Sequence, residues 1–190
     1  MSLSLLPNAI TILRVFLIVP FIWYLQAGQY QPALIIFLIA GVSDGLDGLL
    51  AKRFKWQSRF GSITDPLADK LLLFAALLLL AMKGQISWNL FWVATIRDIV
   101  IVAGATWYHF KVGRYEMQPS LISKWNTALL ILLVLLVLIS LSWYPISAMI
   151  LVGLEWLLIS TCIISGLHYI YLGCVAYRQH KLDANKTASP

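Results

Sequence analysis

Four aspartates, Asp44, Asp47, Asp65 and Asp69, fall within a short stretch of the chain and make up half of its eight acidic residues. The stretch reads Asp44-Gly45-Leu46-Asp47-Gly48-Leu49-Leu50-Ala51-Lys52-Arg53, followed by Gly61, Asp65 and Asp69. It is flanked by hydrocarbon-like sequence, where an ionised carboxylate is expensive and usually has a function. On a helix Asp44 and Asp47 are three apart, and Asp65 and Asp69 four apart, so each pair shares a face. Four carboxylates brought together repel one another unless a cation holds them, and oxygen-only ligands suit Mg²⁺ or Mn²⁺. Carboxylate clusters that act on phosphates often use two such ions. Gly48 removes bulk beside Asp47 and permits close approach, and Ala51 continues the Asp44 face with a small side chain. Simpler roles exist for single members: Asp65, just before Pro66, could cap a helix, and Asp44 or Asp47 could pair with Lys52 or Arg53. Caps and ion pairs do not call for four acids in one place.

The elements that must position these residues are apolar helices. The 190 residues are 61% hydrophobic and 12% charged, against about 25% charged in soluble domains, and the mean hydropathy is +0.84. This is the composition of an integral membrane protein, and the length suits one domain. A hydrocarbon core about 30 Å thick needs roughly 20 helical residues. Six windows approach or exceed that length, at about 9–26, 32–51, 66–82, 86–108, 121–142 and 146–177. The fold expected is an all-α bundle of six transmembrane helices in a single domain, 1–177, with a polar, frayed tail over 178–190. The sixth window exceeds one crossing, so it tilts, extends into the cytoplasm or breaks near Gly166. The first window lacks a basic leader and a cleavage site and carries Arg14, so it reads as a retained helix.

The net charge of +6 does not point to nucleic acid, because the bases lie in short loops between apolar spans. Lys52, Arg53, Lys55 and Arg59 follow the second window, Lys111 and Arg114 the fourth, and Arg178, Lys181 and Lys186 the sixth; Lys83 alone falls on the other side. The positive-inside rule puts both termini and the acidic motif in the cytoplasm. Cys162 and Cys174 have no metal-ligand spacing and read as small core or lipid-facing residues.

Taken together, Asp44-x2-Asp47-Gly48-x2-Ala51-Lys52-x8-Gly61-x3-Asp65-x3-Asp69 resembles the signature of the CDP-alcohol phosphotransferase family, D-x2-D-G-x2-A-R-x8-G-x3-D-x3-D, at seven of its eight fixed positions. The departure is Lys52 where the family has Arg; a lysine supplies a point charge to phosphate but no bidentate fork. Asn8-x2-Thr11-x2-Arg14 is similar to the family's opening segment, and Asp65-Pro66-Leu67-Ala68-Asp69-Lys70 to its phosphatidylglycerol and cardiolipin branch. The resemblance implies a six-helix membrane enzyme, usually a homodimer, in the bacterial inner membrane with its active site towards the cytoplasm. Such an enzyme moves the phosphatidyl group from CDP-diacylglycerol to an alcohol and releases CMP. By the same resemblance Asp44, Asp47, Asp65 and Asp69 would hold two divalent ions, with Asp69 also the general base on the acceptor hydroxyl. Gly48, Ala51, Lys52, Gly61, Asn8 and Thr11 would line the CDP site.

The acceptor is read from charges inside the later spans. Arg97 and Lys124 could bind a phosphate on the acceptor, which favours glycerol 3-phosphate or phosphatidylglycerol over plain inositol, serine or choline. The first acceptor would make a phosphatidylglycerophosphate synthase, the second a cardiolipin synthase. Arg97-Asp98-Ile99 and the stretch from Pro119 to Ala128 resemble the cardiolipin synthases somewhat more. Adjacent helical residues do not face each other, so Arg97 and Asp98 are not expected to pair. Glu155 has no partner identifiable in sequence, His168 reads as a bundle histidine and His109 as a headgroup contact, and Trp88, Trp107 and Trp143 as interface anchors. A small transporter gated by its acids is the competing function; it predicts acids spread through the membrane and internal repeats, whereas the motif acids gather at one end and no repeat occurs.

Overall fold

The computed structural model describes the backbone over residues 6–54, 61–112 and 121–187, and side chains at 13, 15–43, 70–104, 123–169 and 171. Among these residues the chain forms six α-helices and no strand: α1 (Leu6–Gln26), α2 (Tyr30–Phe54), α3 (Gly61–Met82), α4 (Trp88–Val112), α5 (Leu121–Ser142) and α6 (Ala148–Thr187). Two stretches of the described residues, Ser123–Ser142 in α5 and Ala148–Tyr169 in α6, are each long and apolar enough to cross a membrane. Shorter apolar runs occupy Val15–Gln26, Tyr30–Ser43 and Lys70–Met82.

Three helix boundaries differ from the sequence reading, each for a local reason. α2 starts at Tyr30, ahead of Pro32. The first-turn N–H groups of a helix have no intrahelical partner, so a proline there removes nothing. α3 starts at Gly61, so Pro66 is its sixth residue and Asp65 lies inside the helix instead of capping it. The proline deprives only the Ser62 carbonyl of a partner, and the helix continues on both sides. α6 runs unbroken through Gly166 to Thr187, 40 residues or about 60 Å, so of the three alternatives the break near Gly166 is not made, and most of the stretch read as a frayed tail is helical.

The chain forms two compact units. The first comprises residues 1–86 and 131–151, with α1, α2, α3 and the second half of α5. Within it α1 packs on both α2 and α3. The buried positions follow helical periods: Phe21 and Leu25 on α1; Ala33, Leu34, Phe37 and Ala40 on α2; Leu72, Ala76 and Leu80 on α3; Leu133, Val134, Val137 and Leu138 on α5. Phe21 and Phe37 meet in a tilted ring contact, 5.9 Å between centroids. On the opposite faces Phe16, Val19, Trp23, Leu38 and Val42 are exposed. A helix apolar all round is a buried or lipid-facing helix.

α1 and α3 end in the same way. Gln29 N–H donates to the Tyr24 carbonyl (2.9 Å) and Gly28 N–H to that of Leu25 (3.2 Å), with Gly28 at φ 73°. Gln85 N–H donates to Leu80 (2.9 Å) and Gly84 N–H to Ala81 (3.0 Å), with Gly84 at φ 67°. Both are Schellman closures, which need a left-handed residue after the helix and so favour glycine. The Lys83 ammonium then donates to the carbonyl of Gln26 at the end of α1 (3.1 Å) and lies 6.0 Å from the Tyr30 ring centroid. A cation at a helix C-terminus meets the negative end of the dipole. The lone lysine on the side read as external is therefore a fastener between helix ends.

The second unit comprises residues 87–130 and 152–190, with α4, the first half of α5 and most of α6. Ser87 caps α4: its hydroxyl accepts from Leu90 N–H (3.3 Å), and its own N–H donates to Glu155 Oε2 on α6 (3.1 Å). This is the reciprocal logic of a capping box, with the acid supplied from 68 residues away. Glu155 thus has a partner, one that sequence spacing could not reveal.

Candidate active site

The acidic motif is carried wholly by the first unit, on two helix ends joined by a six-residue connection, 55–60. Asp44, Asp47, Gly48, Ala51 and Lys52 lie in the C-terminal part of α2, and Gly61, Asp65 and Asp69 in the N-terminal part of α3. A chain of that length reaches about 25 Å at full extension. The helical backbone turns Asp44 and Asp47 to one side of α2 with a rise of about 4.5 Å, and Asp65 and Asp69 to one side of α3 with a rise of about 6 Å. The helix start at Gly61 places Asp65 in the second turn of α3, past the capping position. Asn8 and Thr11, three apart near the start of α1, likewise share a face. The side chains of all these residues, and of Arg14, lie outside the described residues.

The donor set, four carboxylates on continuous helix with no thiolate or imidazole among them, suits a hard divalent cation. Among the residues with described side chains no group of three or more His, Cys, Asp or Glu could hold a metal; the side chains of the four aspartates are not among them.

Arg97 and Lys124 belong to the second unit. Arg97 is buried in the middle of α4, whereas Lys124 is exposed near the start of α5. The guanidinium donates through Nη2 to the Ser123 hydroxyl (2.6 Å) and carbonyl (3.2 Å), which brings Arg97 within one peptide of Lys124. Through Nη1 it pairs with Asp98 at 2.7 Å. The expectation that these neighbours do not pair is overturned. Their Cα–Cβ vectors diverge by about 100°, but the long arginine stem curls back far enough to reach the adjacent carboxylate. Burial makes that contact worthwhile, since a buried charge without a partner is strongly disfavoured. Arg97 Nε is buried with no partner among the described residues.

One turn beyond Ser123, Asn126 is fully enclosed. Its amide donates to Cys162 Sγ (2.9 Å) and accepts from the Thr161 hydroxyl (2.8 Å), both on α6. Ser165, one turn further along α6, is buried with its hydroxyl unpartnered among the described residues. Sequence reasoning missed this seam. Its signal was present as polar residues one turn apart inside apolar spans, a pattern that marks helix–helix contacts in membranes. Cys162 packs in the seam as a small residue, as expected, while Cys174 falls outside the described side chains. Trp88 and Trp143 are exposed, at the start of α4 and just past the end of α5.

Comparison with known proteins bears on the motif directly. The CDP-alcohol phosphatidyltransferase family model matches residues 4–179. A cardiolipin synthase (CMP-forming)/mitochondrial hydrolase fusion protein of Schizosaccharomyces pombe is 34% identical over 145 residues, covering 68% of this chain and 24% of the fusion protein. A CDP-diacylglycerol–glycerol-3-phosphate 3-phosphatidyltransferase of Haemophilus influenzae is 34% identical over 128 residues, 64% of this chain and 69% of the relative. One from Pseudomonas fluorescens is 41% identical over 107 residues, 54% of this chain and 55% of the relative. The chain thus spans about a quarter of the fusion protein and about half of the Pseudomonas enzyme. With the family match running from just before α1 to the last third of α6 and enclosing all four aspartates, the chain belongs to the CDP-alcohol phosphatidyltransferase family.

Proposed function

We propose that the chain is a phosphatidyltransferase that moves the phosphatidyl group of CDP-diacylglycerol to a glycerol-phosphate-type acceptor and releases CMP. The observation that carries this reading is the family match over residues 4–179, which contains the aspartate motif at the end of α2 and the start of α3. The relatives' names supply glycerol 3-phosphate as one acceptor and CMP-forming cardiolipin synthesis as the other activity, for which phosphatidylglycerol is the acceptor proposed.

In the proposed reaction the acceptor hydroxyl oxygen bonds to the phosphatidyl phosphorus, and the bond from that phosphorus to the CMP oxygen breaks. Asp69 takes the hydroxyl proton, and the electron pair of the broken bond leaves with CMP. Asp44, Asp47 and Asp65, with Asp69, would hold two divalent ions, Mg²⁺ or Mn²⁺. Bound there, such ions offset the negative charge of the diphosphate and of the leaving group. Gly48, Ala51 and Gly61 present little bulk, so a nucleotide can lie against the helix ends. Asn8 and Thr11 supply hydrogen-bonding groups from α1, and Lys52 a point charge for phosphate. Arg97 and Lys124 bind the phosphate of the acceptor.

The same reading has six membrane crossings, both termini and the acidic motif cytoplasmic, a single domain over 1–177 and a homodimer in a bacterial inner membrane. The exposed apolar faces of α1 and α2, and the basic residues gathered at and after the C-terminal ends of α2, α4 and α6, support the membrane part. The test is CMP release from CDP-diacylglycerol by purified protein with Mg²⁺ or Mn²⁺, with glycerol 3-phosphate and phosphatidylglycerol supplied separately. Release with one of them is expected and identifies the acceptor; none with either, from folded protein, overturns the function.

A further inference from the structure

The acceptor reading of Arg97 leaves open how a buried guanidinium is aimed. An arginine has five N–H donors in a rigid plane. Two partners fix that plane here: Asp98 holds Nη1 (2.7 Å), and Ser123 holds Nη2 through both its hydroxyl (2.6 Å) and its carbonyl (3.2 Å). Nε–H is buried and has no partner among the described residues. A buried donor without an acceptor is disfavoured, and more so on a charged group. An anionic oxygen would satisfy it.

Ser123 is itself held in place. Asn126, one turn later on α5, is locked to α6 by Thr161 (2.8 Å) and Cys162 (2.9 Å), which sets the rotation of α5 about its axis. Asp98 offsets the charge of Arg97, and Lys124, next to Ser123 and exposed, restores a net positive charge beside the pair.

We propose that Ser123 is a positioning residue for the acceptor: it orients the Arg97 guanidinium so that Nε–H is presented to a phosphate oxygen of the acceptor. The role rests on the assignment of Arg97 to the acceptor phosphate made above. Nη2 bonding to Ser123 stops the guanidinium rotating about its stem, and Asn126 stops Ser123 moving with α5. A purely structural seam would hold the helices together without distinguishing between the two substrates.

The experiment measures KM for the acceptor at saturating CDP-diacylglycerol, and KM for CDP-diacylglycerol at saturating acceptor. It uses full-length protein and whichever of glycerol 3-phosphate or phosphatidylglycerol supports CMP release. Ser123→Ala is expected to raise the acceptor KM about tenfold, the size of one hydrogen bond to a charged group. KM for CDP-diacylglycerol should stay within about twofold. Ser123→Thr, which keeps the hydroxyl, should restore the wild-type acceptor KM. Arg97→Lys should raise the acceptor KM at least as much as Ser123→Ala. If Arg97→Lys raises it and Ser123→Ala does not, positioning by Ser123 is wrong and the acceptor assignment stands. If Arg97→Lys leaves it unchanged, the assignment itself fails and takes this role with it. A loss from Ser123→Ala that falls equally on both substrates and tracks a lower melting temperature makes Ser123 a packing residue and overturns the proposal.

Discussion

The two units of the chain are built on opposite principles. In the first, every buried residue among those described is apolar, from Phe21 on α1 to Leu138 on α5. In the second, the buried set includes Arg97, Asn126 and Ser165. In lipid, apolar side chains gain little by leaving hydrocarbon for a helix interface, so association rests on close packing and on hydrogen bonds. The first unit relies on packing, with Ala33, Ala40, Ala76 and Ala81 letting backbones approach, and on fasteners at one end: the two Schellman closures and Lys83. The second relies on directional bonds through its interior. The fasteners of the first unit sit at the ends of α2 and α3 remote from the aspartates. Protein contacts fix one end of these helices, and the other carries the carboxylates. The difference teaches that, among the described side chains, the first unit coheres through apolar packing and helix-end bonds, while the second coheres through polar bonds in its interior.

The sharpest way to break this comparison is at Asp69. Asp69→Asn should lower turnover by about 100-fold or more, the usual size of a lost general base, with the KM for CDP-diacylglycerol largely kept; steady-state CMP release checks it. Near-normal turnover would mean that the first unit's acids have another purpose. Next in size, Leu133→Ala in the apolar core should cost about 2 kcal/mol or more through the cavity it opens, read as thermal or denaturant stability in detergent. Asn126→Ala in the polar seam should cost about 1 kcal/mol, since interhelical hydrogen bonds in membranes are modest. The same measurement sharpens the contrast, and a reversed order would undo it. Gly84→Ala should cost about 1–2 kcal/mol through its left-handed backbone, with activity retained. The smallest effect expected is from Glu155→Gln, about 0.5 kcal/mol from the lost charge at the start of α4.

Much of this arrangement could be read from residue order. Hydropathy located six helices, and the bounds of α5, Leu121–Ser142, were met to the residue because a polar start and Ser142-Trp143-Tyr144-Pro145 mark both ends. The aspartate spacing named the family that the comparisons report. What was misread has a common cause. Prolines favour the first helical position, which points to a start at Pro66, yet a helix can begin one turn earlier at the loss of one bond. Arg97 and Asp98 were separated by helical geometry, but burial and a flexible stem prevail over a 100° divergence. The partners of Glu155 and Asn126 lie 68 and 36 residues away, and no local pattern encodes a pairing across such a distance.

The contact between Glu155 and Ser87 also has a consequence in time. A chain is made from its N-terminus, and domains assemble as they emerge. α4 is therefore synthesised long before the carboxylate that completes its first turn. Until residue 155 has been added, the Ser87 N–H lacks that acceptor. A chain stopped between α5 and α6 would contain every aspartate of the motif and still lack the latch on α4. Completion of the second unit is thus tied to completion of α6.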